Sequence, residues 1–477
     1  MKKKKITRLL SALNDRELSR FRLFLEADFF SGDQGLVHYF DVMLEDVLKA
    51  SDDLEEEAFF QRLFPGDNFD NKRIARMGSQ LVSLLYRYLA VEFLGGDDLR
   101  SWSLVLDALE QRRQEEPLAL TLSAMERSLS RAPESTERLL QHYRLLEIQA
   151  GRPPGRLRGK SHVTQTEIRQ ALDRYYELAR LRLECASLNR TLVFGETAEG
   201  NAAESATTIL DGPTLADLYR LVRANLEAPE NFDRYIALAE ALSAALESQK
   251  PPYTYDLREI CRYQLNACVR LINLHPNDPQ KTRELLRELY DEQLEAGVMF
   301  ENNLLPPWHF KNMVTNLVLL GNASEASRRI EEFQDRLQDD YQQNAVVFAK
   351  GYLAFHTGAF ADAKTQFSIL LRDYKDTAYG LDGRLTLLRS LFELEEVDVL
   401  QYQLDAARVY LHRLKGSKFV SEFHLGLYRD AVRNITKLAT IYFGQPDKRA
   451  SKLRKYAADL ERQETVLYKD WFLKKSG

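Results

Sequence analysis

One feature constrains this chain more than any other: a spacing of 37 residues that recurs between positions 307 and 411. Gly321, Gly358 and Glu395 stand 37 apart, and three columns downstream keep the register: Ala326, Ala363, Leu400; Ile330, Phe367, Leu404; Phe333, Leu370, Ala407. Upstream, Val314, Gly351, Leu388 and then Val318, Phe355, Phe392 align at the same offset. The columns on either side of the turn are small or apolar and fall at three- and four-residue steps, which is the signature of a helical hairpin repeated in tandem. A hairpin of that length cannot bury its own apolar stripe, so neighbouring copies must stack.

The copy at 344–376 carries the most complete pattern. Gly351 falls where the first helix meets its partner closely, and Gly358 falls at the turn, where positive φ is wanted. Ala363, Phe367 and Leu370 then follow on one face. In Gly351, Gly358, Phe360, Ala363 and Phe367 this copy resembles the tetratricopeptide repeat, over about 105 residues of the chain. The departures are a period three longer than the usual ~34, Lys375 where the closing proline stands, Val314 in place of the first glycine of copy one, and no turn glycine in copy three.

Composition points the same way. Of 477 residues 44% are hydrophobic, while only 22 are Gly and 14 Pro, which favours long helices over sheet. The fold class expected is all-α: an N-terminal helical bundle followed by an α-solenoid of tetratricopeptide-like hairpins. Residues 1–96 read as the bundle, opened by a capping box at Asn14 and Glu17 with Leu18, Phe21, Phe24 and Leu25 on one helix face. This opening is similar to the start of large helical proteins from Bacteroidetes that bring no known activity. Residues 97–193 read as a helical middle region, with breaks at Glu116-Pro117 and Pro133. Residues 194–212, poor in apolar side chains, read as a flexible linker. Residues 213–477 read as the solenoid, ending in capping helices at 420–443 and 451–473.

The chemistry legible in the chain is sparse. Net charge is -5, so no global basic field recruits nucleic acid. Three cysteines, Cys185, Cys261 and Cys268, make no disulfide framework or metal-ligand spacing, and the histidines are scattered. Neither a signal peptide nor an apolar run of membrane-spanning length is present, so a cytoplasmic protein is expected. The segment 155–161 has a glycine, lysine and serine, but only three residues separate its glycines and no strand precedes it, unlike a phosphate-binding loop. No nucleophile signature, metal site or cofactor is expected, and the reading is non-enzymatic.

What remains is binding. The tetratricopeptide resemblance implies that first helices line a concave face, which places Trp308, Lys311 and Thr315, then Phe348, Tyr352 and His356, then Asp382, Arg389 and Glu393 toward a ligand. Of these, Trp308, Lys311, Phe348, Tyr352, His356 and Arg389 are the expected contacts for a protein or peptide partner. A rival reading is a nucleic-acid-associated regulator using two basic segments. One is 152–160, where Arg152, Arg156, Arg158 and Lys160 would meet an anion, and the other is 448–455.

Overall fold

The computed structural model describes residues 5–45, 55–96, 98–151, 163–194, 214–248, 253–274, 279–301, 303–337, 339–372, 377–416, 420, 422–463 and 465–477. The protein is all-α: among these residues there are 22 α-helices and no strand. The chain forms two compact units, Met1–Ala132 with Leu140–Ile168, and Pro133–Leu139 with Arg169–Gly477.

The first unit opens with α1 (Lys5–Leu10), α2 (Asp15–Glu26), α3 (Gln34–Met43), α4 (Glu56–Leu63) and α5 (Asn71–Gly95). The capping box is present: the Asn14 side chain accepts from the Glu17 N–H at 3.0 Å, and the Asn14 N–H donates to Glu17 Oε2 at 2.9 Å. The face it starts is buried, with Phe21 edge-on to Phe40 at 5.4 Å and close to Tyr88 at 5.3 Å. A second, smaller core joins Leu106 of α6 (Asp98–Gln111) to Leu118, Leu122, Met125 and Leu129 of α7 (Glu115–Arg131) and to Leu145 of α8 (Thr136–Ala150). The break expected at Glu116-Pro117 lies elsewhere. Pro117 sits inside the first turn of α7, where its missing N–H costs nothing, and the chain turns at Arg113 with φ 54°.

Division into units does not follow the expected linker, whose residues from 195 to 212 lie outside the described residues. It falls within α8 and α9 (Gln165–Phe194): Pro133–Leu139 and the chain from Arg169 onward belong to the second unit. Asp256 accepts from the Thr136 N–H at 2.8 Å and from its hydroxyl at 2.9 Å, capping α8. Glu134 in turn accepts from the Leu215 N–H at 2.9 Å. Leu178, Leu181 and Cys185 of α9 join the same core.

That core continues through α10 (Leu215–Glu227), α11 (Phe232–Ser248), α12 (Tyr255–Leu274) and α13 (Pro279–Ala296). Three pairs follow: α14 (Pro307–Leu319) with α15 (Ala323–Phe333), α16 (Asp339–His356) with α17 (Phe360–Leu370), and α18 (Thr377–Glu393) with α19 (Val397–Arg413). Their first helices end at 319, 356 and 393 and their second begin at 323, 360 and 397, each 37 apart. Gly321, Gly358 and Glu395 occupy the turns at φ 79°, 84° and 56°. The next amide in each case reaches back five residues, Asn322 to Leu317 and Ala359 to Ala354 at 2.9 Å, Glu396 to Leu391 at 3.1 Å. The glycine missing from copy three therefore leaves the turn unchanged, and Glu395 takes the left-handed conformation instead. The aligned columns on either side of the turn are buried in all three pairs, and only the turn column itself is exposed. At Gly351 a Cβ would lie 3.0 Å from Gln366 Cβ and 3.1 Å from the Phe367 ring, which is the close approach the pattern implies.

First helices lie against one another, α14 on α16, α16 on α18, and α18 on α20 (Glu422–Tyr442). The capping helix expected at 451–473 is instead two, α21 (Arg449–Glu461) and α22 (Lys469–Ser476). Tyr468, left-handed at φ 60°, starts the second.

Candidate functional site

The expected concave residues come together, but most face inward. Trp308 is 46% exposed, whereas Phe348 and Tyr352 are buried and Arg389 is only 1% exposed. These three positions were expected to face a ligand and do not. The reason is the lateral packing of α14, α16 and α18, which draws positions four apart on α16 into the seam between neighbours. The Thr315 hydroxyl is buried there without a partner. His356 keeps an exposed edge above the Tyr352 ring at 4.6 Å, and the packing behind it, then the Arg389 guanidinium, lowers its pKa.

Lys311 is committed within the chain. Its ammonium donates to Asp382 Oδ2 at 2.5 Å and lies 4.8 Å and 5.2 Å from the Phe348 and Tyr379 ring centroids. Asp382 also accepts from the Tyr428 hydroxyl of α20, whose pKa is raised by burial and by that carboxylate.

The end of the chain covers Arg389. Its guanidinium sits 4.4 Å from the Phe355 centroid and 3.7 Å from that of Tyr468, with Trp471 at 6.0 Å. One amine donates to Thr386 Oγ1 at 3.2 Å, and Nε has no partner. Burial lowers the Arg389 pKa, but a guanidinium starts so high that the charge persists. Glu393 holds α22 itself, accepting from Trp471 Nε1 at 2.8 Å and from Lys475 Nζ at 2.6 Å. Phe472, fully buried, meets Tyr456 of α21 edge-on at 6.4 Å. Tyr468 and Trp471 fall within the capping helix expected at 451–473 and Lys475 just beyond it, and the sequence assigns none of them a contact. Their spacing at three and four residues, aromatic then basic, is the local signal that marks a docking helix.

Of the anion-binding residues, Arg152, Arg156, Arg158 and Lys160 lie outside the described residues. In the second basic segment Lys448, Lys452 and Lys455 are exposed, while Arg449 lies over the Tyr442 ring at 5.4 Å.

Cys185, Cys261 and Cys268 are unpaired and buried, and burial pushes all three thiols up, Cys268 to about 12. None is poised as a thiolate nucleophile. Among the described residues no three His, Cys, Asp or Glu side chains are placed to hold a metal ion, and no helix is long and apolar enough to cross a membrane. No family model, curated protein or solved structure matches the chain.

Proposed function

We propose that the protein is a non-catalytic scaffold whose residues 213–477 form a tetratricopeptide-like α-solenoid, and that its inner face takes a segment of a partner protein. What supports this is the treatment of α22. An eight-residue helix with no side-chain cap cannot persist in water by itself. The face of α18 supplies what it lacks: the carboxylate of Glu393 for Trp471 and Lys475, and the guanidinium of Arg389 for the Tyr468 ring. A surface that orders a short aromatic and basic segment in this way has the chemistry of helix-in-groove recognition. A partner segment with an aromatic residue and a lysine four positions later would meet the same groups, in competition with α22. Three unpaired cysteines suit a reducing compartment, so the cytoplasm is the proposed location.

The test uses the full chain and a labelled peptide of residues 465–477. Wild-type protein, with α22 in place, should bind it poorly, because the tethered copy competes at an effective concentration on the order of millimolar. Trp471→Ala should loosen the tethered copy and let the peptide bind at least ~10-fold more tightly, an advantage that Glu393→Gln then removes. Equal binding to wild type and Trp471→Ala, or none to either, refutes the reading.

A further inference from the structure

A second set of side chains, sharing no residue with the face that holds α22, is gathered between α19 and α20. Arg408 and His412 stand one helical turn apart on α19 with Lys415 in the turn just past its end, and Arg429, Arg433 and Lys437 follow one another by helical turns along α20. The two rows form the walls of an open cleft of about 660 Å³, floored by Leu411 and Val432. Arg408 reaches across it to Thr436 Oγ1 at 2.8 Å. Among the described residues no carboxylate lines the cleft. In a chain of net charge -5, five Lys or Arg around one opening are a local concentration and not an echo of composition.

The acids that answer these charges stand outside. Asp405 pairs with Arg408 at 2.5 Å, Glu422 with Arg429 at 3.5 Å, Asp430 with Arg433 at 2.8 Å, and Asp459 with Lys437 at 3.4 Å. Such pairs are solvent-screened and weak, so an anion entering the cleft can take over the cationic ends while the aliphatic stems stay where they are. Among the described residues the lining contains no aromatic ring, and single-stranded nucleic acid is held largely by base stacking on such rings. Leu411 and Val432 are nearly closed off beneath, so the apolar surface open in the cleft is that of the aliphatic stems, and two basic rows on a pair of packed helices complement a helix that carries carboxylates on both flanks of an apolar stripe.

We propose that the cleft between α19 and α20 docks an acidic amphipathic helix of a partner protein, with the aliphatic stems of the basic side chains meeting its apolar stripe and their charged ends meeting its carboxylates. The proposal stands independently of the role given to α22.

The experiment is a fluorescence-anisotropy titration of full-length protein with a 16-residue helical peptide carrying Glu at four-residue spacing on either side of a leucine stripe. Two controls accompany it, the same peptide with Gln for Glu, and a single-stranded oligonucleotide of equal charge. The Glu peptide should bind at least ~10-fold more tightly than the Gln peptide and weaken as salt is raised. Arg433→Glu with Lys437→Glu, at side chains 77% and 51% exposed, should weaken it by ~10-fold or more. Arg408→Gln with His412→Gln, which introduces no repulsion, should also weaken it. Equal affinity for the Gln peptide, indifference to both pairs of substitutions, or tighter binding of the oligonucleotide overturns the proposal.

Discussion

Replacing Glu395 by glycine should stabilise the second unit. Glu395 sits at φ 56°, in the conformation that Gly321 and Gly358 adopt at the equivalent turns. Its side chain is exposed, so little beyond the backbone changes on removing it. An L-residue in the left-handed region costs about 1–2 kcal/mol, and a glycine gives back roughly 0.5–1 kcal/mol through the greater freedom of the unfolded chain. The difference is a gain of about 0.5–1 kcal/mol. Gly358→Ala should lose a similar amount, because a Cβ there meets nothing within 4 Å and only the φ of 84° opposes it. Guanidinium unfolding followed by tryptophan fluorescence in a Trp102→Phe background reads this out, since Trp308 and Trp471 both belong to the second unit. A loss of stability in Glu395→Gly, or an unaffected Gly358→Ala, would refute the argument that left-handed geometry sets these turns.

Two further outcomes follow from local geometry. Gly351→Ala should destabilise by roughly 1–2 kcal/mol in the same assay, since overpacking against Gln366 and Phe367 outweighs the better helix propensity of alanine. His309, 6% exposed, has its pKa lowered to about 4, chiefly by burial and then by Arg262. Because the folded pKa lies below the ordinary ~6.5, the unfolded chain binds the proton first as pH falls, and stability is lost between about pH 6.5 and 4. The loss approaches ~3 kcal/mol, and His309→Gln should flatten the slope of stability against pH across that window.

Legibility of this protein in its sequence tracks the distance over which each feature is decided. The capping box at Asn14 and Glu17 and the turns at Gly321 and Gly358 depend on a few adjacent residues, and each was readable. Glu395 shows where the local code is silent: no residue type at that position announces a left-handed turn, and the stop is made by the amide of Glu396 closing on Leu391. At 451–473 the apolar pattern reads through as one helix, although the first helix ends at Glu461 and the next starts only after Tyr468, whose ring lies over Arg389.

The candidate binding residues divide along the same line. Position on a helix face told that Phe348, Tyr352 and Arg389 cluster, but not whether water or protein would cover them. Arg389 is covered by Tyr468 and Trp471, and Glu393 is tied to Lys475, partners 78 and 82 residues beyond Glu393 in the cases of Trp471 and Lys475. The basic cleft likewise depends on how α19 lies beside α20.

By itself, the order of amino acids determined that the chain is helical, where three hairpins turn, and which columns become core, because turn chemistry and apolar periodicity act within one or two helical turns. Tertiary structure alone decided which polar groups end up buried, which helix end folds back to cover them, and which charges line a common opening. Those outcomes depend on desolvation and pairing between side chains far apart in the chain, and no stretch of sequence carries that information locally.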